Sequence, residues 1–339
     1  MKGAVFYKKG DLRVEDIEIR KPKSYEVTLK VEYCGVCGTD KHILAGAEGA
    51  GYTPPGTVLG HEFSGVITEV GENVKGIAVG DRVCVDPNDM CGKCYYCKQG
   101  IGHFCEDMIG IGTTVNGGFA EFCTVNAKQV YKIPDSLSLK EAAMAEPVAC
   151  CLHGMDLINM RAGQTVMIIG GGTIGMIMLQ LAKASGASTL IMIEPVESKR
   201  KMASKFGADI TIDPFNDRIE EALAKAGVKQ IDTTIECVGL VKTMNMAIDF
   251  TGKGGTAMLF GLTEPDSEMI IKPFDLFKRE ITVKASYINP YTQMRAINLL
   301  SSGIVDVNSL ITDIVGLDNI NDVFMTDKYK NSGKILIKP

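Results

Sequence analysis

The stretch TVMIIGGGTIG, residues 165–175, decides how this chain folds. Its first half is a short apolar run rich in β-branched residues, which reads as a buried strand. Gly170, Gly172 and Gly175 then follow in the order G-x-G-x-x-G, with Thr173 and Ile174 between the last two. Glycines at these steps allow a tight turn and close backbone approach, placing a dinucleotide pyrophosphate at the N-terminus of the next helix. MIMLQLAKASGAS supplies that helix and TLIMI the next strand, which Glu194 ends 19 residues after Gly175. A carboxylate there hydrogen-bonds ribose hydroxyls and repels a 2′-phosphate, so NAD is expected over NADP. Lys199 and Arg200 weigh the other way, because a nearby cation accommodates that phosphate. The plainer expectation, more so for Arg200, is a solvated helix start.

Further apolar runs continue the alternation: IDTTIECVG (231–239), GTAMLFG (255–261) and ITVKASY (281–287), with helix-period stretches such as VKTMNMAIDF between them. This predicts an α/β, doubly wound parallel sheet of about six strands. The front of the chain differs. EVTLKVEYCG, FSGVITEVG, VGDRVCV and AEFCTVNAKQVYKIP are short strand-like runs split by Gly, Pro and Asp turns, as in a β-rich domain. The last fifty residues add a helix and a closing strand, GKILIKP, expected to pack back onto the front domain. The crossings are placed near Pro147 and Asn289, giving one domain of residues 1–147 with 290–339 and another of residues 148–289.

With 339 residues and a net charge of −5, the chain has the balance of a soluble two-domain protein. That charge argues against nucleic-acid or membrane-surface partners, which want a basic face. The apolar residues 165–182 include four glycines and fall short of the roughly 20 residues a membrane span needs. MKGAVFYKKGDLRVED shows no signal-peptide core, so a cytoplasmic protein with reduced or metal-bound cysteines is expected.

Four of the eleven cysteines, Cys91, Cys94, Cys97 and Cys105, fall in CGKCYYCKQGIGHFC (91–105). The run is polar and turn-rich, expected to be neither strand nor helix, at the head of a lobe of about residues 88–107. Four convergent thiolates suit tetrahedral zinc. An iron–sulfur site of the bacterial ferredoxin type wants a final gap of three and a proline, and both are missing. With four sulfurs the metal has no open position, so this lobe is a staple and the chemistry lies elsewhere.

A second set lies upstream, in YCGVCGTDKH (33–42) and GHEFSG (60–65). Cys37, His61 and Glu62 offer sulfur, nitrogen and oxygen from separate segments, as a catalytic zinc requires. On the residues alone, Cys34 competes with Cys37.

With CGVCGTDKH, GHEFSG, VGDRV, the four-cysteine lobe, GGFAEF, AEP and GGGTIG all in sequence, the whole chain resembles the zinc-containing medium-chain alcohol dehydrogenases, within them the polyol and threonine dehydrogenases. The resemblance implies a GroES-like β-rich catalytic domain interrupted by a Rossmann domain, with the active site in the cleft between. It implies one catalytic and one structural zinc per subunit, NAD, a small-molecule alcohol substrate, and a homotetramer or homodimer. The cysteine after Gly-Val is that family's ligand, which selects Cys37 over Cys34, with His61 and Glu62 binding or surrounding the metal. Glu146, in AEP, matches a glutamate that approaches the metal or its water. Thr39 matches the residue that takes the alcohol proton, and His42 follows as relay. Gly170, Gly172, Gly175 and Glu194 match the NAD site, and Lys199 the place of an arginine near the ribose.

Two departures stand out. Glu194 replaces the branch's usual aspartate and is followed by Pro195. Ile288 and Asn289 stand where animal sorbitol dehydrogenases carry an Arg-Tyr pair that touches substrate. The implied reaction is oxidation of a polyol or secondary alcohol to a ketone. L-threonine, 2,3-butanediol and sugar-alcohol phosphates are the alternatives, and Lys272, Lys284 and Arg295 are candidate phosphate contacts.

Overall fold

Six strands run parallel in one sheet, in the order Ile210–Ile212, Thr189–Ile193, Thr165–Ile169, Thr233–Glu236, Thr256–Leu259, Thr282–Ala285. They belong to a computed structural model that describes residues 1–47, 51–330 and 332–339. The chain divides into two compact units, Cys150–Ile288 and Met1–Ala149 with Asn289–Pro339.

In the first of these units the central strands Thr165–Ile169, Thr189–Ile193 and Thr233–Glu236 are buried on both faces, as parallel sheets with flanking helices require. Met167, Ile191 and Ile212 pack with Leu223 and Ala247. The strand order turns back at Thr165–Ile169, whose neighbours are Thr189–Ile193 on one side and Thr233–Glu236 on the other. That strand leads through Gly170–Gly172 into the helix Thr173–Ala184. An added Cβ on Gly175 would sit 1.8 Å from the Gly170 carbonyl oxygen, so only glycine lets this helix start so close to its strand.

The other unit is built on a seven-stranded sheet. Its path is Val130–Lys132, Arg82–Val85, Glu62–Val70, Glu26–Gly35, Lys334–Lys338, Ile311–Gly316, and Phe122–Asn126 also pairs with Glu26–Gly35. Alternating residues Leu29, Val31, Phe63 and Ile67 fill its core. The closing strand Lys334–Lys338 enters this sheet antiparallel to Glu26–Gly35. The strand Ile311–Gly316 and the helix Ile320–Met325 beside it are additional to the single helix and closing strand expected there.

The four-cysteine stretch was expected to be free of helix, and the structure corrects this. Tyr95–Lys98 forms one helical turn directly after Cys94, and Gly102–Phe104 forms a 3₁₀ turn. A single turn folds Cys97 back over Cys94, the cheapest way to converge two thiols three residues apart.

Asn289 is fully buried. It bonds Asn88, Asp86 and Gln293, a polar network at the base of the lobe. Among the described residues no helix is long and apolar enough to cross a membrane.

Candidate active site and metal centres

Strand register makes the first centre. In the antiparallel pair Glu26–Gly35 with Glu62–Val70, Gly35 faces Glu62. Cys37, two residues beyond one strand, therefore meets His61 and Glu62 at the start of the other. A ligand atom from each of the three lies within 4.8 Å of the others. Gly60 makes the approach to His61 possible. Its φ of 94° lies in the left-handed region, and an added Cβ would be 2.7 Å from the Phe119 ring and 2.8 Å from Cys34 Sγ.

Two side chains that the sequence reading did not single out complete this centre. Asp40, fully buried, accepts the Cys37 N–H through Oδ2 at 2.8 Å, closing the first turn of the helix Gly38–Leu44. Its Oδ1 lies 3.4 Å from His61 Nδ1. Burial works against a charged imidazole at His61. The neighbouring Asp40 carboxylate and Cys37 sulfur outweigh it and hold the pKa well above the ordinary value. Lys334, from the closing strand, is also buried. Its ammonium pairs with Glu62 Oε2 and donates to the Val36 carbonyl at 3.0 Å. Here too burial opposes the charge. Glu62, then Cys37 and Glu146, outweigh it and keep the lysine protonated. The signal for Asp40 was the Asp of CGTD at the third helical position, a capping place. Lys334 has no local signal.

Thr39 and His42 are half-buried on the helix that Cys37 begins, and Thr39 Oγ1 lies 3.7 Å from Cys37 Sγ. Glu146 is buried in the first turn of the helix Ala145–Ile158, close enough to act on Lys334. Cys34 is not part of the cluster. It is fully buried, and burial, with Asp40 and Glu62 adding to it, pushes its thiol pKa well up.

The second centre is local. Cys91, Cys94, Cys97 and Cys105 bring their sulfurs within 4.8 Å of one another, with Cys91 and Cys97 4.0 Å apart. Backbone N–H groups of Lys93 and Cys94 point at Cys91 Sγ, each at 3.4 Å, and that of Cys91 at Cys105 Sγ at 3.3 Å. N–H donors from Cys97 and Glu106 bring Cys94 down to about 6. Burial and the adjacent thiols push Cys97 up to about 12. Four thiolates cannot share so small a volume without a cation, and both sets fit zinc: a closed sulfur shell in one, a mixed shell in the other.

In the Cys150–Ile288 unit, Gly170, Gly172, Thr173, Ile174 and Gly175 form the strand-to-helix turn, and an added Cβ on Gly172 would meet nothing within 4 Å. That open backbone suits an approaching pyrophosphate. Glu194 is buried beside it. Its Oε2 accepts from Gly171 N–H at 2.7 Å and its Oε1 from Val196 N–H at 2.8 Å. Arg200 departs from the expected solvated helix start. Its guanidinium donates to the Glu194 and Pro195 carbonyls and pairs with Asp213 Oδ2 at 3.0 Å. Lys199 is half-buried. Of the candidate phosphate contacts, Lys284 donates its amine to the Leu157 carbonyl, while Lys272 and Arg295 are exposed.

Two family models match: the alcohol dehydrogenase GroES-like domain over residues 23–135, and the zinc-binding dehydrogenase over residues 173–302. The chain is 31% identical to D-arabinitol dehydrogenase 1 of Uromyces fabae, over 99% of this chain and 97% of that protein. It is 33% identical to L-threonine 3-dehydrogenase of Pyrococcus furiosus, over 95% and 93%. A Sinorhizobium meliloti 1021 chain assigned to the zinc-binding dehydrogenases, solved bound to NADP, superimposes with a TM-score of 0.95 at 37% identity, covering 100% of this chain and 99% of that one. The chain belongs to the zinc-containing medium-chain alcohol and polyol dehydrogenase family, oxidoreductases that combine zinc with a nicotinamide cofactor.

Proposed function

We propose that this protein oxidises a secondary hydroxyl of a polyol to a ketone with NAD, at a site built on Cys37, His61 and Glu62. The observation that carries the reading is the meeting of those three donors in one cluster, with His61 and Glu62 buried and Cys37 half-buried, backed by Asp40 and Lys334. When bound there, zinc supplies Lewis acidity toward the substrate hydroxyl, and the nicotinamide accepts hydride from its carbon.

The protein's own groups do the rest. Cys37 and His61 hold the metal. With His61 Nδ1 turned to Asp40, Nε2 is the nitrogen left for it. Lys334 neutralises Glu62, which leaves the carboxylate a close neighbour in competition between lysine and metal, and Glu146 the second carboxylate in reach. Thr39 takes the hydroxyl proton and His42 passes it to solvent. Cys91, Cys94, Cys97 and Cys105 hold a second, structural zinc.

Gly170, Gly172 and Gly175 receive the pyrophosphate, and Thr173 and Ile174 offer N–H groups at the helix start. Glu194 faces the ribose, with Lys199 beside it. Each Glu194 oxygen keeps a free lone pair after its backbone bond. We assign NAD on that carboxylate, although the similar Sinorhizobium chain was solved with NADP. The chain is proposed to act in the cytoplasm as a homotetramer or homodimer. The exposed apolar residues Ile270, Phe274 and Phe277 next to the edge strand Thr282–Ala285 support association with a second copy.

The test is NADH formation at alkaline pH, with zinc, across sorbitol, xylitol, ribitol, galactitol, their phosphates, 2,3-butanediol and L-threonine. Turnover of a free polyol is expected. Turnover of L-threonine alone, the substrate named for the Pyrococcus relative, would replace the polyol reading. Silence across the panel would overturn both.

A further inference from the structure

The end of the parallel sheet holds a charge arrangement that the glycine turn and Glu194 do not explain. Ile193 and Ile212 are register partners, and Glu194 N–H donates to the Ile212 carbonyl. Glu194 and Asp213 thus leave neighbouring strands side by side. Arg200 lies over them from the helix Glu197–Phe206, its side chain only 18% exposed. One nitrogen, Nη1, serves both the Glu194 and Pro195 carbonyls, at 2.7 and 2.6 Å, and lies 3.0 Å from Asp213 Oδ2. Asp213 is itself fixed: Oδ1 accepts from Phe215 N–H at 3.0 Å and Oδ2 from Asn216 Nδ2 at 3.1 Å. The arginine closest in sequence to the expected ribose position is therefore folded back onto the loop and neutralised from the next strand.

We propose that Asp213 determines cofactor selectivity: by holding Arg200 it withholds the guanidinium that would receive the 2′-phosphate of NADP, and so favours NAD. A 2′-phosphate carries two negative charges and is recognised by a guanidinium in a fixed fork. At this place the phosphate meets Glu194 and Asp213 together, and the Arg200 guanidinium is already paired. Asp213 touches neither ribose nor nicotinamide in this scheme. It is a positioning residue that acts through Arg200. The inference rests on the nicotinamide reading above and deepens its choice of NAD.

The experiment is calorimetric titration of the purified zinc-loaded protein with NAD and with NADP, without alcohol, for wild type, Asp213→Asn, Arg200→Gln and the double variant. Asparagine keeps the Oδ1 acceptor for Phe215 N–H and removes the charge, and a thermal melt run alongside checks its fold. Wild type is expected to bind NAD the more tightly. In D213N the NADP Kd should fall about tenfold, the scale of one gained charge-assisted contact, while the NAD Kd moves far less. Adding R200Q should cancel that gain, a result a merely structural role for Asp213 would not produce. An unchanged NADP-to-NAD ratio in D213N, with NAD still bound, would overturn the proposal and leave the dehydrogenase reading intact. So would wild type preferring NADP with R200Q abolishing it. Failure of wild type to bind either cofactor would overturn both.

Discussion

The two thiol-bearing centres of the Met1–Ala149 and Asn289–Pro339 unit are built by opposite means. The lobe takes four ligands from 15 consecutive residues, and its own turns supply the N–H groups that point at sulfur. The other centre takes Cys37 from the end of one strand and His61 and Glu62 from the start of another. It then needs Asp40 to orient the imidazole and Lys334, almost 300 residues along the chain, to balance the carboxylate. A closed shell of four sulfurs satisfies its metal alone and can sit near solvent. A site that keeps a position open must hold its ligands from behind, and that takes long-range structure.

Cys37→Ser should produce the largest effect. It should remove one of the two proposed zinc ions, measured by elemental analysis, and lower turnover by roughly 10³-fold, since a Lewis acid worth several kcal/mol is lost at 1.36 kcal/mol per decade. The far-ultraviolet dichroism and melting temperature should hold. A variant that keeps both metals and full turnover would sink the assignment of Cys37.

Cys94→Ser should reverse that pattern. It also costs one zinc, but the loss falls on stability: a fall in Tm of at least about 5 °C, since even 2 kcal/mol moves a unit of this size by roughly 4–8 °C. Turnover of the remaining folded protein should stay within a factor of a few. If the lobe variant lost catalysis as completely as C37S with no change in melting, the division between staple and reaction centre would fail.

The smallest effect concerns Asp86, beneath the lobe. Burial raises its pKa to about 6, although Asn88 and Asn289 donate to its carboxylate. A free aspartate titrates near 3.9, so between about pH 4 and 6 the folded state binds the extra proton. Its stabilising contribution is therefore full below about pH 4 and is lost as pH rises through 6, the reverse of an ion-paired carboxylate. Asp86→Asn keeps the Oδ1 acceptor and removes the titration. Urea midpoints should show the variant gaining on wild type by of order 1 kcal/mol from pH 5 to pH 7. Parallel curves would mean that the network does not titrate in this range.

Legibility followed distance along the chain. The glycine turn, Glu194 and the four cysteines are short-range patterns, and each spacing maps onto one turn, strand or helix start. Cys37, His61 and Glu62 could be named because they sit in compact motifs, yet nothing in those motifs showed why they meet. The pairing of Gly35 with Glu62 shows it. Arg200 escapes a local reading because a basic residue in a helix's first turn usually faces water, whereas its acceptors are two loop carbonyls and Asp213, just past the end of the neighbouring strand. Asn289, a departure from the Arg-Tyr pair of animal sorbitol dehydrogenases, is buried with Asn88 and Asp86, partners that no local spacing announces.

By itself the sequence determined the parallel-sheet unit and the four-cysteine lobe, because each depends on spacings of a few residues that bond geometry converts directly into shape; the choice of Cys37 over Cys34 came from the family resemblance instead. Tertiary structure alone decided which charges compensate one another: Lys334 with Glu62, Asp40 with His61, and Asp213 with Arg200. Those pairs are set by strand register and burial, where a charge must find its opposite or remain in water, and no local spacing records which partner it will find.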